Sequence, residues 1–203
     1  WLLGKREFHD VFLCGGALIG RVGEGDRWEQ NLGFVDRLAE KTDIPVYLGL
    51  IPTAAEVWKD RLPHGADSAD QSALLKEARG TGAVWADIAG ALAAHSEEPV
   101  FYRTDHHWTS LGAYYGYTAL LEAMGETPLP LGKAETVSDD FYGTLYSSSG
   151  VHWVAPDTIE RYVREDAVTV EDVYGGEKHG LYVDSFLEEK DQYASFLGGN
   201  QPL

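Results

Sequence analysis

A nearly continuous apolar run, IPVYLGLIP at residues 44–52, limits the folds open to this chain more than any other segment. A short apolar run bounded by prolines is typical of a strand buried on both faces. Amphipathic helical patterns lie on either side of it, at residues 26–41, with Asp26 as the expected N-cap, and at residues 68–79. Helices flanking a buried strand favour an α/β fold with a parallel sheet.

The alternation continues towards the middle of the chain. Short strands are predicted at residues 83–88 and 99–102, with a helix between them at 89–96. A longer helix is predicted from Ser110 and ends at Gly125. The first part of the chain is therefore predicted to be a parallel sheet covered by helices.

The two ends of the chain have a different pattern. EFHDVFL (7–13) is rich in β-forming residues and leads into paired glycines, which predicts strand, turn and strand. Residues 126–180 consist of short β-like pieces, so we expect an irregular β-rich insertion there, with SSSG (147–150) as a loop. At 203 residues, one domain spanning 1–203 is expected. Because the chain lacks an initial Met and stops just after an apolar run, we expect both ends to be truncated.

Charge and cysteine content exclude several classes of function. The formal charge is -17, with 33 acidic and 16 basic residues, which argues against a nucleic-acid partner and favours a neutral or cationic one. Cys14 is the only cysteine, so neither an intrachain disulfide nor a CxxC metal site can form. No apolar run has the length of a membrane span.

The motif RTDHHWT follows the predicted strand at 99–102, at the sheet edge where ligands collect in α/β folds. Asp105 and His107 are separated by one residue and can share a face of an extended segment. In a nucleophilic triad, a carboxylate orients the histidine that takes the proton from a hydroxyl group. Two alternatives stay open at this point: a structural loop, and a metal site that includes His106.

The segments around this motif carry a resemblance. TDHHWTSLGAYYGY, IPTAAEVWKDRLP, DFYGTLYSSSG and LYVDSFLEEKDQYASFLGGNQPL together resemble the bacterial DHHW family, which is similar to the SGNH-hydrolase-like domains of the alginate O-acetyltransferase group. The resemblance spans nearly the whole chain. It implies a three-layer flavodoxin-like (SGNH hydrolase-like) fold, a secreted or membrane-anchored protein, ester chemistry on carbohydrate and no cofactor. It implies contact with a membrane only through an N-terminal anchor outside this chain.

The resemblance also implies roles for residues. Asp105 becomes the orienting carboxylate and His107 the general base, while the intervening His106 has no part in proton transfer. The nucleophile is expected in a segment of Lys-Asp-Ser-Tyr type after the GGN stretch, beyond Leu203. Within the chain, Ser185 is the weaker candidate.

Other positions are candidates for substrate contacts. Gly199 and Asn200 could donate to an oxyanion, although GGN is also a common turn. Arg103 and Trp108 flank the Asp-His pair, and Trp108 either packs beneath the imidazole or stacks on a sugar. Tyr142 is a candidate to line a saccharide groove.

The expected function is that of an extracytoplasmic acyltransferase or esterase acting on O-acetyl groups of a polysaccharide or cell-envelope glycan. One alternative is a catalytically incomplete carbohydrate-binding or scaffold module. The third hypothesis is a metal-dependent hydrolase. Because no serine is positioned opposite His107, we expect the 203-residue chain by itself to lack esterase activity.

Overall fold

The computed structural model describes residues 4–163, 169–171 and 180–199. The helices are α1 (Trp28–Lys41), α2 (Ala54–Val57), α3 (Gln71–Arg79), α4 (Ile88–Ala94), α5 (Ser110–Ala123) and α6 (Thr144–Ser149). The strands are β1 (Glu7–Phe8), β2 (Val11–Cys14), β3 (Ala17–Gly20), β4 (Tyr47–Gly49), β5 (Val84–Ala86), β6 (Lys133–Phe141) and β7 (Asp157–Val163). Among these residues, no helix is both long enough and apolar enough to cross a membrane.

Strands β1, β2 and β3 form a small antiparallel sheet. The predicted turn on the paired glycines is confirmed, because Gly15 and Gly16 connect β2 to β3 and both have positive φ angles. EFHDVFL is two strands instead of one. His9 and Asp10 adopt φ angles of 49° and 62°, and this left-handed backbone reverses the chain between β1 and β2.

Strands β4 and β5 pair in parallel, with α2 and α3 in the connection between them, so this part of the chain is α/β as predicted. The apolar run at 44–52 contributes only three strand residues, which are half-buried. Ile44 and Ile51 are 74% and 53% exposed, so the prediction of a strand buried on both faces is wrong. The two isoleucines lie outside the short ladder, and no strand in the described part of the chain pairs with them. The described sheets are small, and the three-layer parallel arrangement stays a prediction.

The predicted helices form, with starts shifted by one to three residues in α1, α3 and α4 and unshifted in α5. Helix α1 is preceded by Arg27 at the N-cap position without a side-chain cap, so the prediction of Asp26 as N-cap is wrong. Asp70 caps α3 by accepting from the amide of Ser72, and Thr109 caps α5. Gly125 has a φ of 73° just after α5, as expected for a residue that ends a helix.

The β-rich segment is built on β6 and β7, which pair antiparallel with irregular register. Helix α6 lies between them and contains the three serines at 147–149, so the prediction of a loop there is wrong. Gly150, with a φ of 71°, ends that helix. The amide of Tyr146 donates to the carbonyl of Thr104, a tertiary contact that local sequence does not encode. Much of the last part of the expected β-rich insertion, residues 164–168 and 172–179, lies outside the described residues.

The main buried cluster joins β2, β3, α2, α4 and the Val100–Phe101 segment, and α5 packs against it beside the DHHW motif. A Cβ atom added to Gly112 would fall 2.2 Å from the carbonyl oxygen of Val100, and one added to Gly116 would fall 2.7 Å from Cζ3 of Trp108. Both glycines lie on one face of α5, since they are four residues apart. Their small size lets the helix press against both neighbours, and this contact fixes the base of the motif.

Candidate active site

The DHHW motif lies in a tight loop between Val100 and α5. The loop is closed at its base by a bridge between Phe101 and Trp108 and by a hydrogen bond of 3.0 Å from the Thr109 amide to the Val100 carbonyl. The predicted strand at 99–102 therefore supplies one bridge residue instead of a longer strand. The closed base presents the residues between the two bridging positions at the tip of the loop.

Thr104 anchors that tip to the rest of the fold. One carboxylate oxygen of Asp157 accepts from the Thr104 amide at 2.7 Å and from its hydroxyl at 2.6 Å, and the other accepts from the Arg103 amide at 2.8 Å. The Thr104 hydroxyl also accepts from the Gly143 amide at 3.1 Å. Both Thr104 and Asp157 are buried. The loop is thus bound to the start of β7 and to the turn before α6.

Asp105 is 3% exposed and accepts four hydrogen bonds. Its Oδ1 accepts from the backbone amide of His107 at 2.9 Å and lies 2.5 Å from Nδ1 of the same residue. Its Oδ2 accepts from the amide and the hydroxyl of Thr144, at 2.7 Å and 2.9 Å. Burial alone would raise the pKa of Asp105, but the bonds from His107 and Thr144 outweigh it and hold that pKa well below its usual range. Asp105 is therefore ionised at neutral pH.

The ionised carboxylate fixes the tautomer of His107. With Nδ1–H donating to Asp105, Nε2 carries the free lone pair and can accept a proton. The imidazole is 39% exposed, stacks on the ring of Tyr193 at 4.2 Å and 16°, and contacts the ring of His106 at 3.9 Å. Burial raises the pKa of the Tyr193 hydroxyl, so that group stays neutral. The imidazole is held in one orientation yet reached by solvent.

A cavity of about 890 Å³ opens at this pair. Asp105, His107, Tyr142 and Gly199 all line it, so four of the candidate residues come together. Tyr142 belongs to the turn before α6, and Gly199, with a φ of 78°, follows the last described turn of the chain. A cavity of this size is within the range of ligand pockets.

Other candidates lie elsewhere. Arg103 is paired with Asp157 and lines a separate cavity of about 780 Å³. Trp108 packs against α5 and is not among the residues that line the cavity at His107. Ser185 lies in a 3₁₀ turn, Asp184–Glu188, and does not line that cavity either. Asn200 lies outside the described residues.

Sequence reasoning missed Thr144 and Tyr193. Thr144 follows Asp105 by 39 residues and Tyr193 follows His107 by 86, so no local spacing connects them. No local signal identified Thr144, because the helix that begins there was not predicted from the sequence.

The same cluster could hold a metal ion. Asp105, His106 and His107 each offer one ligand atom, and these atoms lie within 4.8 Å of one another. Imidazole nitrogen with carboxylate oxygen is a donor set that zinc and related metals accept. His106 Nδ1 lies 2.8 Å from the Thr144 hydroxyl, and Asp105 is already saturated with donors, so binding a metal would replace existing hydrogen bonds.

Comparison with known proteins agrees with this fold. The family model described as SGNH hydrolase-like domain, acetyltransferase AlgX matches residues 24–176. A DHHW family protein from Eubacterium siraeum superposes with a TM-score of 0.75 and 26% identity, covering 94% of this chain and 68% of the other. No protein of curated function matches.

Two further solved structures share the fold. The O-acetyltransferase domain of Pseudomonas putida AlgJ has a TM-score of 0.53 and 22% identity, covering 74% of this chain and 63% of the other. Bacillus cereus PatB1, solved with a sulfonyl adduct, has a TM-score of 0.65 and 16% identity, covering 92% of this chain and 68% of the other. The chain thus spans about two thirds of the length of these proteins. The family model matches most of the sequence, and the chain belongs to the ALGX family of SGNH hydrolase-like acetyltransferase domains.

Proposed function

We propose that this domain transfers or hydrolyses O-acetyl groups on a polysaccharide or cell-envelope glycan outside the cytoplasm, with His107 as general base and Asp105 as its orienting carboxylate. The observation that carries the proposal is the 2.5 Å contact between Asp105 Oδ1 and His107 Nδ1 at the wall of an open cavity. We also propose that residues 1–203 belong to one three-layer domain with an insertion at 126–180. Membership in the ALGX family supports the acetyl chemistry.

The proton path follows from the tautomer. His107 Nε2 takes the proton from a nucleophilic hydroxyl as its oxygen attacks the acetyl carbonyl carbon, and ionised Asp105 stabilises the imidazolium that forms. The imidazolium then gives this proton to the departing alcohol oxygen, which leaves an acetyl ester on the nucleophile. In the second half, His107 takes a proton from the acceptor, either a sugar hydroxyl or water, and returns it to the nucleophile.

The nucleophile is proposed to be a serine that follows the GGN stretch beyond Leu203. Among the described residues, the His107 ring hydrogen-bonds only to Asp105. Ser147 and Ser148 line the cavity, but their hydroxyls donate to carbonyls within α6 and its preceding turn. Ser185 remains the alternative within the chain. The acyl donor is left open.

Two other functions have a supporting observation. A catalytically incomplete carbohydrate-binding module is favoured by the exposed Tyr142 at the cavity wall. A metal-dependent hydrolase is favoured by the ligand atoms of Asp105, His106 and His107.

Hydrolysis of a chromogenic acetate ester tests the proposal. We expect the complete gene product to be active, insensitive to chelators, and inactive as His107→Ala or Asp105→Ala. His64→Ala, a histidine that does not line this cavity, is the matched control and should keep full activity. Chelator-sensitive turnover would assign the metal mechanism instead. Glycan binding without turnover would assign the binding module, and turnover by the 203-residue chain alone would place the nucleophile within it.

A further inference from the structure

A smaller cavity of about 370 Å³ adjoins the one at His107. The two cavities share Tyr142, Ser147 and Lys190 in their walls. A ligand whose reacting group lies at His107 can therefore extend past Tyr142 into the second cavity. The volume is within the range of ligand pockets.

Aromatic rings form one wall of the smaller cavity. The centroids of the Tyr142 and Tyr146 rings are 4.3 Å apart, and the His152 and Tyr146 rings meet edge to face with centroids 4.7 Å apart. Tyr146 is held by the hydrogen bond from its backbone amide to the Thr104 carbonyl and by packing against a buried cluster that includes Leu18. Tyr142 is 38% exposed. This wall is an aromatic surface, which suits the C–H face of a pyranose ring.

Polar side chains also form part of the rim of this cavity. The Asp140 carboxylate accepts from Gln192 Nε2 at 3.0 Å and from the Ser138 hydroxyl at 2.8 Å. Bonds from Gln192 and Ser138 lower the pKa of Asp140, so it is ionised at neutral pH. Glu189 and Lys190 also line this cavity. Fixed carboxylate oxygens accept hydrogen bonds from hydroxyl groups.

The charged side chains of the smaller cavity favour an uncharged sugar over an anionic one. The smaller cavity has two carboxylates, of Asp140 and Glu189, against one ammonium group, of Lys190, and the whole chain carries a formal charge of -17. A uronate or phosphorylated sugar would be repelled by this field, whereas an uncharged sugar would not.

We propose that Tyr142, Tyr146 and His152, with Asp140 and Glu189, form a subsite for an uncharged pyranose unit of the glycan whose neighbouring unit is positioned at His107. This inference rests on the proposed function. The subsite binds the sugar ring, and the Asp105–His107 pair acts on the acetyl ester, so binding and chemistry can be measured separately.

The test is titration of the complete gene product with uncharged cello- and chito-tetraose and with a galacturonate tetramer, followed by NMR or calorimetry. We expect an uncharged tetramer to bind, and the uronate to bind at least about tenfold more weakly. Tyr142→Ala should weaken binding roughly threefold to tenfold, and Tyr142→Phe, which keeps the ring, should not. Phe34→Ala, which removes another exposed aromatic ring, on α1, is the control and should bind normally.

Equal affinity of the wild type and Tyr142→Ala, uronate binding as tight as that of the uncharged tetramers, or no binding of any tetramer would overturn the proposal. Asp140→Asn is a second variant on the exposed rim that should also weaken binding of the uncharged tetramer. Phe34→Ala, whose residue lines neither cavity, should hydrolyse the small chromogenic ester at the normal rate. Tetramer binding that depends on Tyr142, without ester hydrolysis, would keep the subsite and reject the acetyl chemistry.

Discussion

Gly143 lies so close to Asp105 that a Cβ atom added to the glycine would fall 2.3 Å from Cβ of Asp105 and 2.4 Å from its Oδ2. The backbone of the turn before α6 therefore packs directly against the carboxylate. This close approach lets the next residue, Thr144, donate its amide and hydroxyl to Asp105.

Gly143→Ala should displace either the carboxylate or the turn. The φ of Gly143 is -83°, which any residue adopts, so the effect is purely steric. We expect a loss of about 1–3 kcal/mol in the free energy of unfolding, measured by urea denaturation, and a loss of esterase activity. Gly25→Ala, where an added Cβ meets nothing within 4 Å, is the control. Equal stability of the two variants would show that the turn does not constrain Asp105.

Thr144→Val removes the hydroxyl that donates to Asp105 Oδ2 at 2.9 Å and keeps the size of the side chain. Because a hydrogen bond to a charged group contributes about 1.5–3 kcal/mol, we expect kcat for ester hydrolysis to fall roughly tenfold or more, with little change in KM. Thr144→Ser should restore most of the rate. A normal kcat in Thr144→Val would show that this bond does not orient the carboxylate.

Asp105 should make folding stability depend on pH. Its pKa is lower in the folded protein than the value of about 3.9 expected in the unfolded chain. Its contribution to stability is therefore complete above that unfolded value and is lost as the pH falls below it. Urea denaturation should show the largest stability difference between wild type and Asp105→Asn near pH 7 and a smaller one at pH 3. A difference that stays constant would contradict the depressed pKa.

Tyr193 should support His107 through its ring. The two rings are nearly parallel, and stacked aromatic pairs contribute about 0.5–1.5 kcal/mol beyond area burial. We expect Tyr193→Leu to lower kcat/KM for the chromogenic ester about threefold to tenfold, while Tyr193→Phe keeps the rate. The thermal stability of each variant should be measured in parallel, because Tyr193 also packs against Phe196 and Phe141. Loss of activity in Tyr193→Phe would assign the role to the hydroxyl instead.

Sequence patterns located most helices well because helical spacing and end signals are local. Helix α5 begins at Ser110 and ends near Gly125 as predicted. The strand predicted from the apolar run at 44–52 was too long and too buried, because the burial of a strand depends on which strands lie beside it. The helix at Thr144–Ser149 was missed because a run of serines favours loops unless a tertiary contact holds it.

The sequence by itself determined the contact between Asp105 and His107, because residues two apart in a tight loop can turn to the same side. Only the tertiary structure decided which groups surround that pair. Gly143, Thr144 and Tyr193 reach it from segments 38 to 88 residues away, and packing of the whole chain, which local spacing does not encode, brings them there. The physical reason is that a buried carboxylate is stable only when it accepts hydrogen bonds, and segments distant in sequence supply part of the donors here.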